Sequence, residues 1–414
     1  MSEWREVAVE ALCSRVTSGG TPSRKRADYY TDEGIPWVKS QELIGARIAT
    51  TEEHISEAGL ERSSAKLLPP DTVLLAMYGA NVGQLGWLGV EATVNQAICA
   101  MVTDPKEADA RFLYYALAGA RERLVGNAHG AAQQNLSQQL IKPFKLAVPA
   151  LATQQRIGAI LRSIDELIEN NRRRIEVLEK MARAIYREWF VKFRYPGHEG
   201  VPMVDSALGL IPEGWQVGEL NDLVQLIRDT VDPAVIDAET PAVGLEHIPR
   251  KQITLDSWGT AGDQGSRKGV FEKGDVLFGK IRPYFHKVSV APIDGICSTD
   301  AIVLRPASEH WGQAVLVLSS GELVAHATAT SNGTKMPRAD WKVLGRWPVA
   351  LPPSAIAGQF TEIARDQLEM AETLMFENAR LTNLRDLLLP KLVTGKIDVT
   401  SLDLDAAVAE QVAE

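Results

Sequence analysis

Two stretches of this chain place an apolar residue every three or four positions over many turns, the signature of long amphipathic helices. The first begins after Pro149, with Thr153 as a candidate N-cap, and runs through Ile157, Ile160, Ile164, Leu167, Leu178, Met181 and Ile185 at heptad spacing. Asn171 falls on an a position and Arg174 on a d position, with Ile175 beside Arg174 as a partial apolar replacement. The second begins near Ser354 and runs through Phe360, Ile363, Gln367, Met370, Leu374, Glu377, Leu381, Leu384 and Leu388. Each lies 203 residues after its counterpart in the first series, and Pro390 is expected to end the helix. Helices of roughly 40 and 36 residues span roughly 55–60 Å.

The segments before each helix read differently. Val73 to Met77 and Val276 to Phe278 are short apolar runs bounded by Asp, Gly and Pro, as strands are. Gly79, Gly83, Gly86 and Gly89 punctuate the first half, and Gly259, Gly262, Gly265 and Gly269 the second. The halves also match in order. WREVAVEAL from Trp4 parallels WQVGELNDL from Trp215, DTVLL from Asp71 parallels DVLF from Asp275, NQAI from Asn95 parallels TDAI from Thr299, and Ala147-Val148-Pro149 parallels Ala350-Leu351-Pro352. A period near half the chain is a duplicated module, not a solenoid.

The expected architecture is therefore α+β: two mixed α/β domains with little helix, joined by two long helices in an antiparallel coiled coil, with an internal pseudo-two-fold repeat. The first helix must leave the first module and the second can return, which sets the direction. The boundaries read as 1–150 for the first domain and 151–195 for the first helix. The span 196–350 holds a linker (through Gly214) and the second domain, 351–400 the second helix, and 401–414 an acidic tail. Asn171, Arg174 and Glu377 lie near the helix middles and are expected to meet and fix the register, because a slipped pairing would bury them without partners.

Composition narrows the setting. The opening residues have mixed charge and no apolar core, so no signal peptide is expected. No run reaches the ~18 apolar residues of a membrane span. Cys13, Cys99 and Cys297 are too scattered for a metal site or a disulfide framework, which fits a reducing cytoplasm. The net charge of −9 argues against a general nucleic-acid coat. Its distribution softens that: 151–197 is net +4, and Arg267, Lys268, Lys273, Lys280, Arg282 and Lys287 face only Glu272 and Asp275 between positions 265 and 290.

Catalytic patterns in the chain are incomplete. Gly274 to Ile281 matches G-x-x-x-x-G-K but ends in Ile where Ser or Thr would hold magnesium, and Pro283 follows where a helix should start. Asp340-Trp341-Lys342 has the D-x-K shape of a nuclease without its upstream partner. The seven histidines form no H-E-x-x-H, and neither Gly-x-Ser-x-Gly nor a nucleoside-cofactor fingerprint occurs.

Fragments along nearly the whole chain resemble the specificity subunit of type I restriction-modification enzymes. They are Ile35-Pro36-Trp37-Val38, GAAQQNLS from Gly130, Gln154-Gln155-Arg156-Ile157 with Ile164-Asp165, and REWFVKF from Arg187. In the second half they are LGLIPEGW from Leu208, GDVLFGKIRPY from Gly274, Lys335-Met336-Pro337-Arg338, Leu351-Pro352-Pro353, and LRDLLLPKLVTGK from Leu384. The resemblance implies two target-recognition domains, each reading one half of a split, asymmetric double-stranded DNA site. It implies helices that set the gap and dock two methyltransferase subunits, with restriction and translocase subunits as further partners. No cofactor is expected in this chain itself; S-adenosylmethionine, ATP and Mg belong to those partners. The chain is thus expected to be a non-catalytic subunit.

Residue type and placement at strand ends nominate the DNA contacts. In the first domain these are Lys39, Ser40, Gln41, Tyr78, Asn81, Gln133, Gln134 and Asn135; in the second, Lys280, Arg282, Tyr284, Asn332, Lys335 and Arg338. GAAQQNLS and NGTKMPRA put different chemistry at corresponding loops, so the half-sites should differ. A coiled-coil scaffold that reads no DNA accounts for the helices but not for the two turn-rich domains. A fused restriction enzyme would need catalytic domains, for which a repeat beginning at Trp4 leaves no room.

Overall fold

The computed structural model describes residues 4–45, 47–126, 135–333 and 335–399. Its fold is α+β, and the chain divides into two compact units: Met1–Leu167 with Leu381–Glu414, and Ile168–Arg380. The division falls inside the long helices.

In the first unit a five-stranded sheet has the order Cys13–Ser18, Ile98–Thr103, Val73–Ala76, Leu85–Leu88, Arg47–Ile48. Val73–Ala76 is buried at every position because both faces are covered. Val73 and Leu75 join the core under helix Ala110–Gly119, while Leu74 and Ala76 join a second core with Leu43, Leu88 and Val94. A smaller sheet holds Tyr30–Thr31, His54–Ile55, Ile35–Val38 and Thr93–Val94. Arg5–Ala8 pairs antiparallel with Lys145–Val148, closing the module.

The second unit repeats this plan. Its antiparallel sheet runs Val224–Ile227, Ala301–Pro306, Val276–Gly279, Val288–Val290. Val276 and Phe278 face one core and Leu277 the other, the same split as at Val73–Ala76. Gln216–Glu219 pairs with Pro348–Leu351 as Arg5–Ala8 pairs with Lys145–Val148. A five-stranded sheet from Thr230–Val231 to Gly259–Thr260 completes the unit.

Three local expectations change. The globular parts hold more helix than the turn-rich pattern suggested, including Ala110–Gly119, Trp311–Leu318 and Gly321–Ala329. Asp109 caps the first by accepting from the Phe112 N–H at 2.9 Å. Within the expected linker, Met203–Ser206 and Gly209–Pro212 form a hairpin, with Gly209 at φ +87°. The second long helix continues through Pro390 to Leu392. A proline in the last turn removes one hydrogen bond, and the true stop is Gly395 at φ +72°, where the Lys396 N–H reaches back to the Lys391 carbonyl at 2.8 Å.

The long helices are α1, Leu151–Tyr186 with a π-helical extension Arg187–Val191, and α2, Ser354–Leu392. In the second unit Asn171 meets Glu377, Ile175 packs with Ala371, Leu374 and Met375, and Phe190 lies 4.8 Å from Phe360. Rising numbers meet falling ones, so the pairing is antiparallel. In the first unit Asp165 meets Arg385, and Ile157 and Leu161 share a core with Leu392, again antiparallel.

The buried stripe differs by one residue from the expected d positions. Ile157, Leu161, Ile164, Ile168, Asn171, Ile175 and Ala182 are buried, whereas Leu167 and Met181 are 46% and 47% exposed. On α2 the buried residues include Ala357, Ala364, Leu368, Ala371 and Met375, while Met370 is 50% exposed. Counting large apolar side chains overlooked the alanines, whose small size lets the helices approach closely. Arg174 is exposed, and among the described residues no ion pair joins it to Glu377. The register contact observed is a hydrogen bond from Asn171 Nδ2 to Glu377 Oε2 at 3.1 Å, with Asn171 buried.

Candidate nucleic-acid interface

In the first unit Ser40 and Gln41 sit on the turn that follows strand Ile35–Val38, and Tyr78 follows strand Val73–Ala76. Asn81 Nδ2 donates to the Ser40 carbonyl at 3.1 Å, tying these two strand ends together. The Leu136 N–H donates to the Met77 carbonyl at 2.7 Å, which sets Asn135 beside the strand end carrying Tyr78. Gln41, Tyr78 and Asn135 are exposed. Gln133 and Gln134 lie outside the described residues.

Lys39 is not a free cation. Its ammonium donates to Glu52 at 2.7 Å and Glu53 at 3.0 Å, so a phosphate would compete with two carboxylates. Glu53 also receives Arg24, whose guanidinium lies 4.3 Å from the Tyr30 ring centroid. Hydrogen bonds from Arg24 and then Lys39 hold the Glu53 carboxyl down at about 2, against the opposing effect of burial. The run Arg24-Lys25-Arg26 is exposed and was not among the expected contacts. Three consecutive cations after Gly19-Gly20 are the signal that could have found it.

In the second unit Lys280, Arg282, Asn332 and Arg338 share one backbone frame. The Lys280 N–H donates to the Asp300 carbonyl at 2.9 Å, the Ala339 N–H to the Lys280 carbonyl at 2.9 Å, and the Arg282 N–H to the Pro337 carbonyl at 2.7 Å. Asn332 and Arg338 exchange N–H···O bonds at 3.0 and 2.9 Å. The frame borders a cleft of about 490 Å³ whose walls include Arg228, Asp229, Lys280, Asn332, Arg338 and Trp341. Arg228, exposed on this cleft, escaped the sequence reading because it stands alone at a strand end.

Arg282 adopts φ +49°, a left-handed conformation costly for a side chain with a Cβ, and its buried Nε has no hydrogen-bond partner among the described residues. His286 repeats the strain at φ +52°, with its Nε2 3.0 Å from the Ser319 carbonyl. Between them Tyr284 is 52% exposed, its ring edge-on to Phe285 at 4.8 Å, while Arg250 covers Phe285 at 4.2 Å. Lys335 is exposed on the same 332–338 turn.

Among the described residues no group of His, Cys, Asp and Glu could hold a metal ion. Burial pushes the Cys99 and Cys297 thiols up to about 12, so neither is a ready thiolate. No described helix is long and apolar enough to cross a membrane.

Residues 1–180 match the family model described as the type I restriction modification DNA specificity domain. A relative from Methanocaldococcus jannaschii, the type I restriction enzyme MjaIX specificity subunit, is 24% identical over 402 residues, covering 94% of this chain and 92% of its own. The EcoR124I/EcoR124II specificity subunit of Escherichia coli is 25% identical over 187 residues, covering 43% of this chain and 46% of its own. The crystal structure of a type I restriction-modification S subunit from M. genitalium shares the fold at a TM-score of 0.61 and 16% identity, over 94% of this chain and 96% of that one.

Proposed function

We propose that the chain is a specificity subunit of a type I restriction-modification system and that its two modules each read one half of a split, asymmetric double-stranded DNA site. The near end-to-end match to the M. jannaschii specificity subunit carries this reading. The duplicated sheets support it, because one plan is built twice and given different loops. The units correspond to the two target-recognition domains, and α1 and α2 set the length of DNA left unread between half-sites. In this reading the chain supplies recognition and its partners supply chemistry. Two methyltransferase subunits dock on it and methylate adenine, and restriction subunits join them.

The first-unit contacts are Ser40, Gln41, Tyr78, Asn81, Gln133, Gln134 and Asn135, with exposed Lys25 as a phosphate contact between Arg24 and Arg26, whose guanidiniums are engaged by Glu53 and Asp28. The second-unit contacts are Arg228, Lys280, Tyr284, Asn332, Lys335 and Arg338. Arg282 has its backbone committed to the frame and its Nε buried, so it serves chiefly to shape the turn.

The test is to co-express the chain with its modification subunits and map methylated adenines across a genome. Two different half-sites at a fixed separation are expected. A single unbroken motif, or methylation independent of this chain, would overturn the proposal.

A further inference from the structure

Resting on that reading, we propose that Arg338 reads a guanine in the half-site of the second unit, with Asp300 as the residue that positions it. Arg338 is fixed at both backbone bonds by its exchange with Asn332, so its side chain starts from a defined point. Its guanidinium stands 3.8 Å from the Asp300 carboxylate and is 57% exposed. That distance biases the orientation of the fork while leaving its donors for another acceptor. Asp300 is itself placed by the frame: its N–H donates to Ser298 Oγ at 3.2 Å, and its carbonyl accepts from Lys280.

The walls of the cleft decide between base and phosphate. A phosphate clamp gathers cations and avoids carboxylates, since each anion repels the ligand. Here Arg228, Lys280 and Arg338 share one concave surface with Asp229 and Asp340, and Asp300 lies 3.8 Å from Arg338. Mixed donors and acceptors match the edge of a base pair. An arginine fork bonds the two acceptors of guanine, and a carboxylate can accept from the amino group of the paired cytosine. Partial neutralisation by Asp300 weakens Arg338 as a phosphate contact and keeps its geometry for a planar acceptor.

The experiment uses the chain with its modification subunits and adenine mapping for the wild type, Arg338→Ala, Arg338→Lys and Asp300→Ala. Arg338→Ala should relax one guanine position in one half-site, reducing discrimination there roughly tenfold to a hundredfold. The other half-site and the gap should stay unchanged. Arg338→Lys keeps the charge without the fork, so it should restore affinity but not discrimination. Asp300→Ala should relax the same position less. An unchanged motif in Arg338→Ala would overturn the inference, as would an equal loss at all sites repaired by Arg338→Lys, which marks a phosphate contact. If the wild type itself yields no split motif, the specificity-subunit reading fails first, and that outcome is distinct from failure of the arginine assignment.

Discussion

Asp165 of α1 and Arg385 of α2 are joined at 3.0 Å, and the second oxygen of Asp165 accepts from the phenol of Tyr115 at 2.6 Å. One carboxylate thus ties both long helices to helix Ala110–Gly119 within the first unit. Its side chain is 15% exposed and that of Arg385 28%. Asp165→Ala leaves the buried Tyr115 phenol without its acceptor and removes one of the two carboxylates that hold Arg385, which keeps Asp386, and should cost about 1–3 kcal/mol. Asp165→Asn keeps the shape and should cost less. Urea unfolding midpoints of the two variants check this, and equal midpoints for Asp165→Ala and wild type would refute it.

Glu179 does the corresponding work in the second unit. It is 5% exposed and accepts from the Ile253 N–H at 2.9 Å, the Thr254 N–H at 2.8 Å and the Thr254 hydroxyl at 2.8 Å. Glu179→Ala leaves two backbone donors without an acceptor and should cost about 3 kcal/mol. Glu179→Gln retains one acceptor oxygen and should cost less. Hydrogen exchange at the Ile253 and Thr254 amides reads the same contact locally, with faster exchange expected in both variants.

The helix seam makes a sharper contrast. Ile175 is 6% exposed against Ala371, Leu374 and Met375, so Ile175→Ala should cost about 2–4 kcal/mol. Met181, on the heptad count an equal core residue, is 47% exposed, and Met181→Ala should stay within about 0.5 kcal/mol. Thermal unfolding of the two variants side by side would expose an error in the seam, since similar losses would restore the heptad assignment.

Acid should loosen the network around Lys39. The Glu53 carboxyl sits at about 2 in the folded chain, below its ordinary 4.5. A depressed carboxyl contributes stability that is complete above about pH 4.5 and disappears as pH falls toward 2. Glu53→Gln should therefore flatten the acid limb of a stability–pH curve in that window and leave neutral pH nearly unshifted in slope. Added salt should shrink the effect, since Arg24 is 55% exposed.

The long helices and the doubled plan were legible because periodicity and order survive without knowledge of contacts. The strand pair Val73–Ala76 and Val276–Gly279 was legible for the same reason, as uninterrupted apolar runs buried on both faces. The stripe itself was misplaced by one residue because large side chains such as Leu167 and Met181 outweighed Ala182 and Ala371 in the count. Size is not burial. Pairings at a distance were mixed: Asn171 and Glu377 were nominated and meet, whereas Arg174 has room to reach solvent and does so. The proposed contacts were nominated from residue types at strand ends, whereas Asp300 and Arg228 gain their place beside Arg338 from chain crossings about 40 and 110 residues away. No local pattern marks such neighbours.

Trp4 lies against Gly395, where any side chain would strike the indole, and Leu392, Val393 and Val399 belong to the same core as Val9 and Leu12. The second compact unit ends at Arg380. The first core is therefore assembled from both sides of the second unit in sequence, so the module begun first receives its last packing partners only after the whole of the second unit has been made.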